Sequence, residues 1–248
     1  IHKVIKSYKE ADLIVTVGGG YIRSQSGFNG TFILVFILHP ILFASIIGKT
    51  TVGYSQSVGP FGTKLQEKLA KFVVNKMKGI VLREKISEEI LKQWGQNDNV
   101  YLSVDSGFLF KSDSDKELKK KIGIPEDKKI VGVTVRSWLS SEMQEKYERD
   151  IAFLCDYVSE KLDFFVVFIP QVTVENHNDD DRVSSRRVIS YMNNKDKVLM
   201  LNDKFDHNVI KSIYGSLDFL IGTRFHSVIF ALTSIVPSIA IQYEHKTR

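Results

Sequence analysis

The sequence has one cysteine among its 248 residues, Cys155, so no intrachain disulfide can form. With Ile151, Leu154 and Val158 around it at helical spacing, it reads as a buried structural thiol in the reducing cytoplasm. Long apolar runs are also missing. The richest stretch, residues 32–47, falls short of the roughly 20 residues that span a bilayer. His39-Pro40 interrupts it, which predicts a buried, broken helix and no membrane span. Nothing at the start resembles a basic, apolar-cored signal peptide, and a chain opening on Ile1 reads as part of a longer one. A strong excess of one charge is absent too: 34 Lys and Arg against 29 Asp and Glu leave +5. That excess suits an anionic small molecule or a polyanionic polymer and falls short of a nucleic-acid footprint. Repeats and low-complexity tracts do not occur, and 43% hydrophobic with 25% charged residues excludes a disordered or collagen-like chain. The sequon Asn29-Gly30-Thr31 means nothing in a cytoplasmic protein.

What is present is alternation. Short β-branched runs at 13–17, 50–54, 79–82, 100–104, 130–135, 164–169, 198–201, 219–221 and 238–241 are separated by helical patterns such as Leu65, Leu69, Phe72, Val73 and Lys76, or Val209, Ile213 and Leu217. That is the pattern of an α/β protein with parallel sheets and crossover helices. The length suits two domains of about 120 residues. The segment 111–129, dense in Lys, Asp and Glu, reads as an exposed connector between two sheets. It sets the expected domains at 1–111 and 112–248.

In open parallel sheets ligands bind outside the carboxyl ends of the strands, so the residues following each run are the site candidates. They are Gly18-Gly19-Gly20; Ser55, Gln56 and Ser57; Arg83; Asp105; Arg136; Gln171; and Gly222-Thr223-Arg224 with His226. Two sheets whose polar ends face one another would form a cleft, the usual ligand position. The glycine run lets backbone approach a ligand, but Arg23 stands where a dinucleotide fingerprint needs its last glycine. Gly48-Lys49-Thr50 imitates a P-loop end, yet Phe43 replaces the first glycine and a strand follows instead of a helix. The sharpest segment is 221–227: a buried run ends in glycine and an apolar helix begins at once, presenting free amides, with Arg224 adding a planar fork of donors. His226 in its first turn reads either as a site residue or as a satisfied core histidine. His177 with Asp179, Asp180 and Asp181 invites a metal, but consecutive Asp residues diverge, so a loop capping a helix from about Arg182 is the better reading. No metal is expected there, and Arg186 and Arg187 read as a solvated face.

Gly222-Thr223-Arg224-Phe225-His226, the helix after it, Pro237 and 241–246 (Ile-Gln-Tyr-Glu-His-Lys) resemble the C-terminal signature of the polysaccharide pyruvyl transferase family. Residues 12–20, 53–61, Arg83-Glu84 with Ser87, Asp105 with Phe108, and 133–136 match it in order. The resemblance implies two Rossmann-like parallel-sheet domains facing a cleft, as in the GT-B glycosyltransferases, the first being the acceptor side and the second the donor side. The family's first strand with its glycine-rich loop would precede Ile1, and its last helix would follow Arg248. The implied reaction moves a pyruvyl group from phosphoenolpyruvate to a sugar of a cell-surface polysaccharide or its precursor, forming a ketal. Arg136, Arg224 and Lys246 would bind the dianionic donor, with Gly18, Gly19, Gly20, Gln56, Ser57, Gly222 and Thr223 as further substrate contacts. His226 would act as general acid, with Asp105 a weaker candidate for base. No cofactor, nucleic acid or membrane span is implied. The acceptor is a saccharide that a lipid can carry, which allows a peripheral place at the inner face of the membrane. A nucleotide-sugar glycosyltransferase, with Glu175 as ribose ligand, and a non-catalytic polysaccharide-binding homologue are the competing readings.

Overall fold

Each β-branched run becomes a strand, and all strand pairs are parallel. The computed structural model describes residues 2–96, 98–111, 117–174, 179–203 and 205–242. It divides into two compact units, Ile1–Ser106 and Gly107–Arg248. Unit 1 runs α1 (His2–Glu10), β1 (Leu13–Ile22), α2 (Phe28–Ile46), β2 (Thr50–Val58), α3 (Lys64–Val74), β3 (Gly79–Leu82), α4 (Lys85–Gln93) and β4 (Val100–Leu102), with sheet order β1-β2-β3-β4. Its core gathers Ile22, Leu34, Leu38, Ile41, Leu82 and Leu91.

Unit 2 continues with α5 (Leu118–Lys121), β5 (Lys129–Thr134), α6 (Ser141–Lys161), β6 (Phe164–Phe168), α7 (Asp181–Tyr191), β7 (Val198–Met200), α8 (His207–Gly215), β8 (Phe219–Gly222), α9 (Phe225–Leu232) and β9 (Ser238–Ala240). Its order, β7-β6-β5-β8-β9, reverses direction at β5. Ligands of doubly wound sheets sit at such a switch point. Residues 130–134 of β5 are all buried, so hydrophobic clusters form on both faces of this sheet. Cys155 on α6 is fully buried, and burial pushes its thiol up to about 12.

The structure corrects four expectations. The glycine run does not follow β1 but lies inside it: the strand continues to Ile22, with φ of 22° at Gly18, 124° at Gly19 and a register irregularity between Gly19 and Ile22. Glycine can take those angles without strain, so the ladder bends and resumes instead of ending. Ser55, Gln56 and Ser57 likewise belong to β2. The helix expected to be broken at Pro40 is continuous, and outside the stripe Leu34, Leu38, Ile41 and Ala44 it is largely exposed. The connector is partly core, because Leu118 and Ile124 are buried in unit 2; its residues 112–116 lie outside the described ones.

Candidate functional site

At the switch point in unit 2 the ends of β5 and β8 are tied together. The Thr223 amide donates to the Thr134 carbonyl and hydroxyl, both at 3.1 Å, and the Arg224 amide donates to the same hydroxyl at 3.2 Å. Thr223 Oγ1 also pairs with the Tyr147 hydroxyl at 2.7 Å, and burial pushes that phenol well above its ordinary value. Gly222 permits this closure: a Cβ there would stand 2.8 Å from Val228 Cγ2, so only glycine lets α9 fold back this tightly on its strand. Arg224 is the N-cap residue of α9.

Arg136 and Arg224, each expected just past a strand end, converge on one carboxylate. Arg136 donates to Asp179 from Nε at 3.3 Å and Nη2 at 3.4 Å, and Arg224 Nη2 donates to Asp179 Oδ1 at 2.7 Å. Arg224 is held a second time by Asp181, through Nε at 3.1 Å and Nη2 at 2.5 Å. Asp181 also accepts the amides of Gln171 and Val172, both at 3.0 Å. Burial raises the Asp181 carboxyl above its ordinary range, while the Arg224 guanidinium and those two amides pull the other way. Burial alone would lower Arg224, and Asp181 with Asp179 more than offsets it. Asp180, between the two, does cap α7, accepting the Arg182 amide at 3.0 Å.

The turn after Arg136 is clamped from α6. Gln144 donates to the Arg136 carbonyl at 3.0 Å and accepts the amides of Trp138 and Leu139 at 3.2 and 3.3 Å. It also donates to Glu148, a buried carboxylate that Arg187 of α7 holds from Nε and Nη2. Arg187 is therefore a structural partner of Glu148, which corrects its reading as part of a solvated face.

His226 is exposed on the first turn of α9, which removes the core-histidine reading. It lines a groove of about 530 Å³ together with Gln171, Thr173, Asp203, Phe205, His207 and Phe230. These residues follow the ends of β6, β7 and β8 or lie on α8 and α9. The sequence singled out His226 and Gln171 but not Asp203, Phe205 and His207, which sit in a polar stretch after a three-residue strand. Lys246, Glu175 and His177 lie outside the described residues. Among the described residues, no group of three or more His, Cys, Asp or Glu could hold a metal ion.

In unit 1 the candidates are occupied internally. Gln56 is fully buried, donating to the Thr16 carbonyl at 2.9 Å and the Tyr21 hydroxyl at 3.0 Å. Ser57 accepts Arg83 Nε at 2.7 Å, and Arg83 Nη1 meets Asp105 at 2.5 Å, with both side chains about 5% exposed. Asp105 is thus one end of a buried ion pair. The Ser55 carbonyl and Ser106 hydroxyl are the nearest atoms to a Cβ built on Gly18, and the Tyr21 ring is nearest to one built on Gly19.

A family model described as polysaccharide pyruvyl transferase matches residues 1–245. The amylovoran biosynthesis protein AmsJ of Erwinia amylovora is 26% identical over 257 residues, covering 96% of this chain and 58% of the relative. A UDP-N-acetylglucosamine 2-epimerase structure from Listeria monocytogenes, described as putative by its authors, superposes with a TM-score of 0.63 at 10% identity over 98% of this chain and 60% of that one. Anabaena HepE, solved with UDP and glucose, gives 0.57 at 14% identity over 96% and 61%. These likenesses show the fold, two parallel-sheet units of GT-B type. The chain spans about three fifths of the length of such relatives.

Proposed function

Because the chain belongs to the polysaccharide pyruvyl transferase family, we propose that it takes part in transferring a pyruvyl group from phosphoenolpyruvate to a sugar of a polysaccharide or its precursor. The observation that supports this most is the convergence of Arg136 and Arg224 on one carboxylate beside the exposed start of α9. Two guanidiniums that chelate Asp179 have the spacing to chelate a carboxylate or phosphate of the donor, a charge-assisted contact of the strong kind. Phosphoenolpyruvate carries both groups, and the first turn of a helix favours a third anionic contact.

In this reading His226 gives a proton to the methylene carbon of the donor, turning it into a methyl group. Positive charge then develops at C2, where the nearby phosphate and carboxylate offset it. Two sugar hydroxyl oxygens bond to C2 and the phosphate leaves with the C2–O electron pair. One hydroxyl proton returns to the imidazole and the other leaves on the phosphate, so atoms and charge balance. Asp105 in unit 1, the weaker candidate for base, is held in a buried ion pair by Arg83 and takes no proton in this balance. The acceptor, lipid-carried or free, belongs to the same proposal.

Calorimetric titration with phosphoenolpyruvate and with a panel of UDP-sugars tests the donor. Phosphoenolpyruvate should bind, and Arg136→Ala should weaken it by about 1.5–3 kcal/mol. Binding of a UDP-sugar with no response to phosphoenolpyruvate would replace this reading by that of a nucleotide-sugar glycosyltransferase.

A further inference from the structure

α2 carries no charged residue along its 19 residues and is apolar around its whole circumference. A helix of that kind is ordinarily enclosed by protein or lipid. This one is enclosed on a single stripe, Leu34, Leu38, Ile41 and Ala44, while Phe28 is 84%, Phe32 65% and Phe36 74% exposed, with Ile33, Val35 and Ile46 also outside. Among the described residues it is the one helix long and apolar enough to cross a bilayer. Crossing would pull Leu34, Leu38 and Ile41 out of the core of unit 1, so the helix suits lying on a bilayer and not spanning it.

Its neighbours decide the partner. α3 packs along α2, Gln66 donating to the Thr31 hydroxyl and the Gln25 carbonyl at 2.9 Å each. The outer face of α3 and the turn that follows it alternate apolar and cationic side chains: Leu65, Lys68 and Phe72 on the helix and Lys76 just after it, with Lys76 Nζ 5.1 Å from the Phe72 ring centre. At the other end, Tyr8 of α1 meets Phe43 of α2 at 5.5 Å, and α1 carries exposed Lys3, Lys6 and Lys9. Residues 1–106 hold 13 Lys and Arg against 8 Asp and Glu, whereas 107–248 hold 21 of each, so the whole excess of +5 resides in unit 1. Exposed aromatic and aliphatic side chains flanked by lysines fit the acyl boundary and the headgroups of an anionic bilayer.

We propose that the α2–α3 face of unit 1 is a docking surface for an anionic membrane, the helix lying in the interface plane with Phe28, Phe32 and Phe36 inserted and the lysines of α1 and α3 on the headgroups. The proposal stands apart from the donor chemistry of unit 2. Its test is sedimentation of the protein with vesicles of phosphatidylcholine alone or with 30% (roughly, the range of anionic leaflets) phosphatidylglycerol. Binding should be strong only with the anionic lipid and should fall steeply as salt rises. The double variant Phe32→Glu with Phe36→Glu should lower the partition coefficient at least about tenfold. Lys68→Glu and Lys76→Glu should each lower it about fivefold or more, leaving binding to neutral vesicles unchanged. All four positions are exposed, so circular dichroism and melting should match the parent. Equal binding to both vesicle types, or no loss in the Phe variant, would overturn the proposal. So would a dimer in analytical ultracentrifugation that the Phe variant dissolves, since a second copy would then be the occupant.

Discussion

The two units share one βα alternation and finish it differently. Unit 2 covers its sheet on both faces, as parallel sheets ordinarily require, and turns its polar groups inward around Arg136 and Arg224. Unit 1 leaves Leu13, Val15 and Val17 exposed on one face of β1, with Tyr54 on β2 next to Val17 and Tyr101 on the far strand β4, and adds the outer face of α2. Its charge is unbalanced where that of unit 2 is neutral. A shared architecture therefore fixes where the strand ends lie but not what the surfaces do. Unit 2 gathers buried ion pairs at its strand ends, whereas unit 1 carries a broad apolar surface with lysines around it.

The strongest way to break this division is to remove the chemistry from unit 2. His226→Gln keeps a hydrogen-bonding group in the groove but cannot deliver a proton, so single-turnover rate should fall by about 10²–10⁴-fold with most donor affinity retained. Because His226 is exposed, its melting temperature should not move. A rate per folded molecule equal to that of the parent would remove His226 from the site and with it the assignment of catalysis to unit 2.

Next in size is the ion pair beneath that site. Asp181→Ala leaves the buried Arg224 guanidinium with Asp179 alone, and losing one partner of a buried pair costs about 3–5 kcal/mol. The loss should be confined to unit 2. Each unit holds one tryptophan, Trp94 and Trp138, so single-tryptophan variants report the two transitions separately. The pH dependence has an unusual sign. Burial places the folded Asp181 carboxyl above its unfolded value of about 3.9, so the folded state binds more protons there, and stability falls as pH rises through that window. The lowered carboxyls Asp163, Asp180 and Asp206 contribute the opposite slope in parent and variant alike, so in a denaturation series from pH 3 upward (roughly the carboxylate range) the parent-minus-variant difference in stability should fall as pH rises.

Much of unit 2 was legible in the sequence because its signals are local. β-branched runs mark strands, and Arg136, Arg224 and Gly222 could be read from their place after them. Asp179 and Asp181 were not legible as counter-charges, because three Asp residues before a helix look like a cap and one of them, Asp180, is a cap. The other two diverge onto Arg136 and Arg224, 43 to 45 residues away, which only the tertiary fold decides. Gln144 sits in a helix and carries no sign of the turn it clamps. In unit 1 the strand ends were misplaced because glycine and serine at positive φ read as loop, although β1 and β2 pass through them. α2 was misread for a different reason: hydrophobicity says that a helix seeks cover, but not whether its own chain supplies it.

The smallest expected effects give the finest test of whether the units are energetically separate. Each has a helix whose N-cap side chain accepts an amide two or three residues on: Thr63 takes the Gln66 amide at 3.2 Å at the start of α3, and Asp180 takes the Arg182 amide at 3.0 Å at the start of α7. Replacing either by Ala should cost about 1 kcal/mol. In domains of these sizes that lowers the midpoint by about 3–5 °C. Trp94 is a close reporter for the first, because its indole donates to Glu67 on α3 at 2.8 Å. Trp138 serves for the second, packed edge-on against Tyr147 at 4.9 Å. Since each unit has its own buried core, Thr63→Ala should move only the Trp94 transition and Asp180→Ala only the Trp138 transition. If both midpoints shift together under either substitution, the chain unfolds as one cooperative body, and the surfaces of unit 1 then have to be interpreted as part of a single energetic whole.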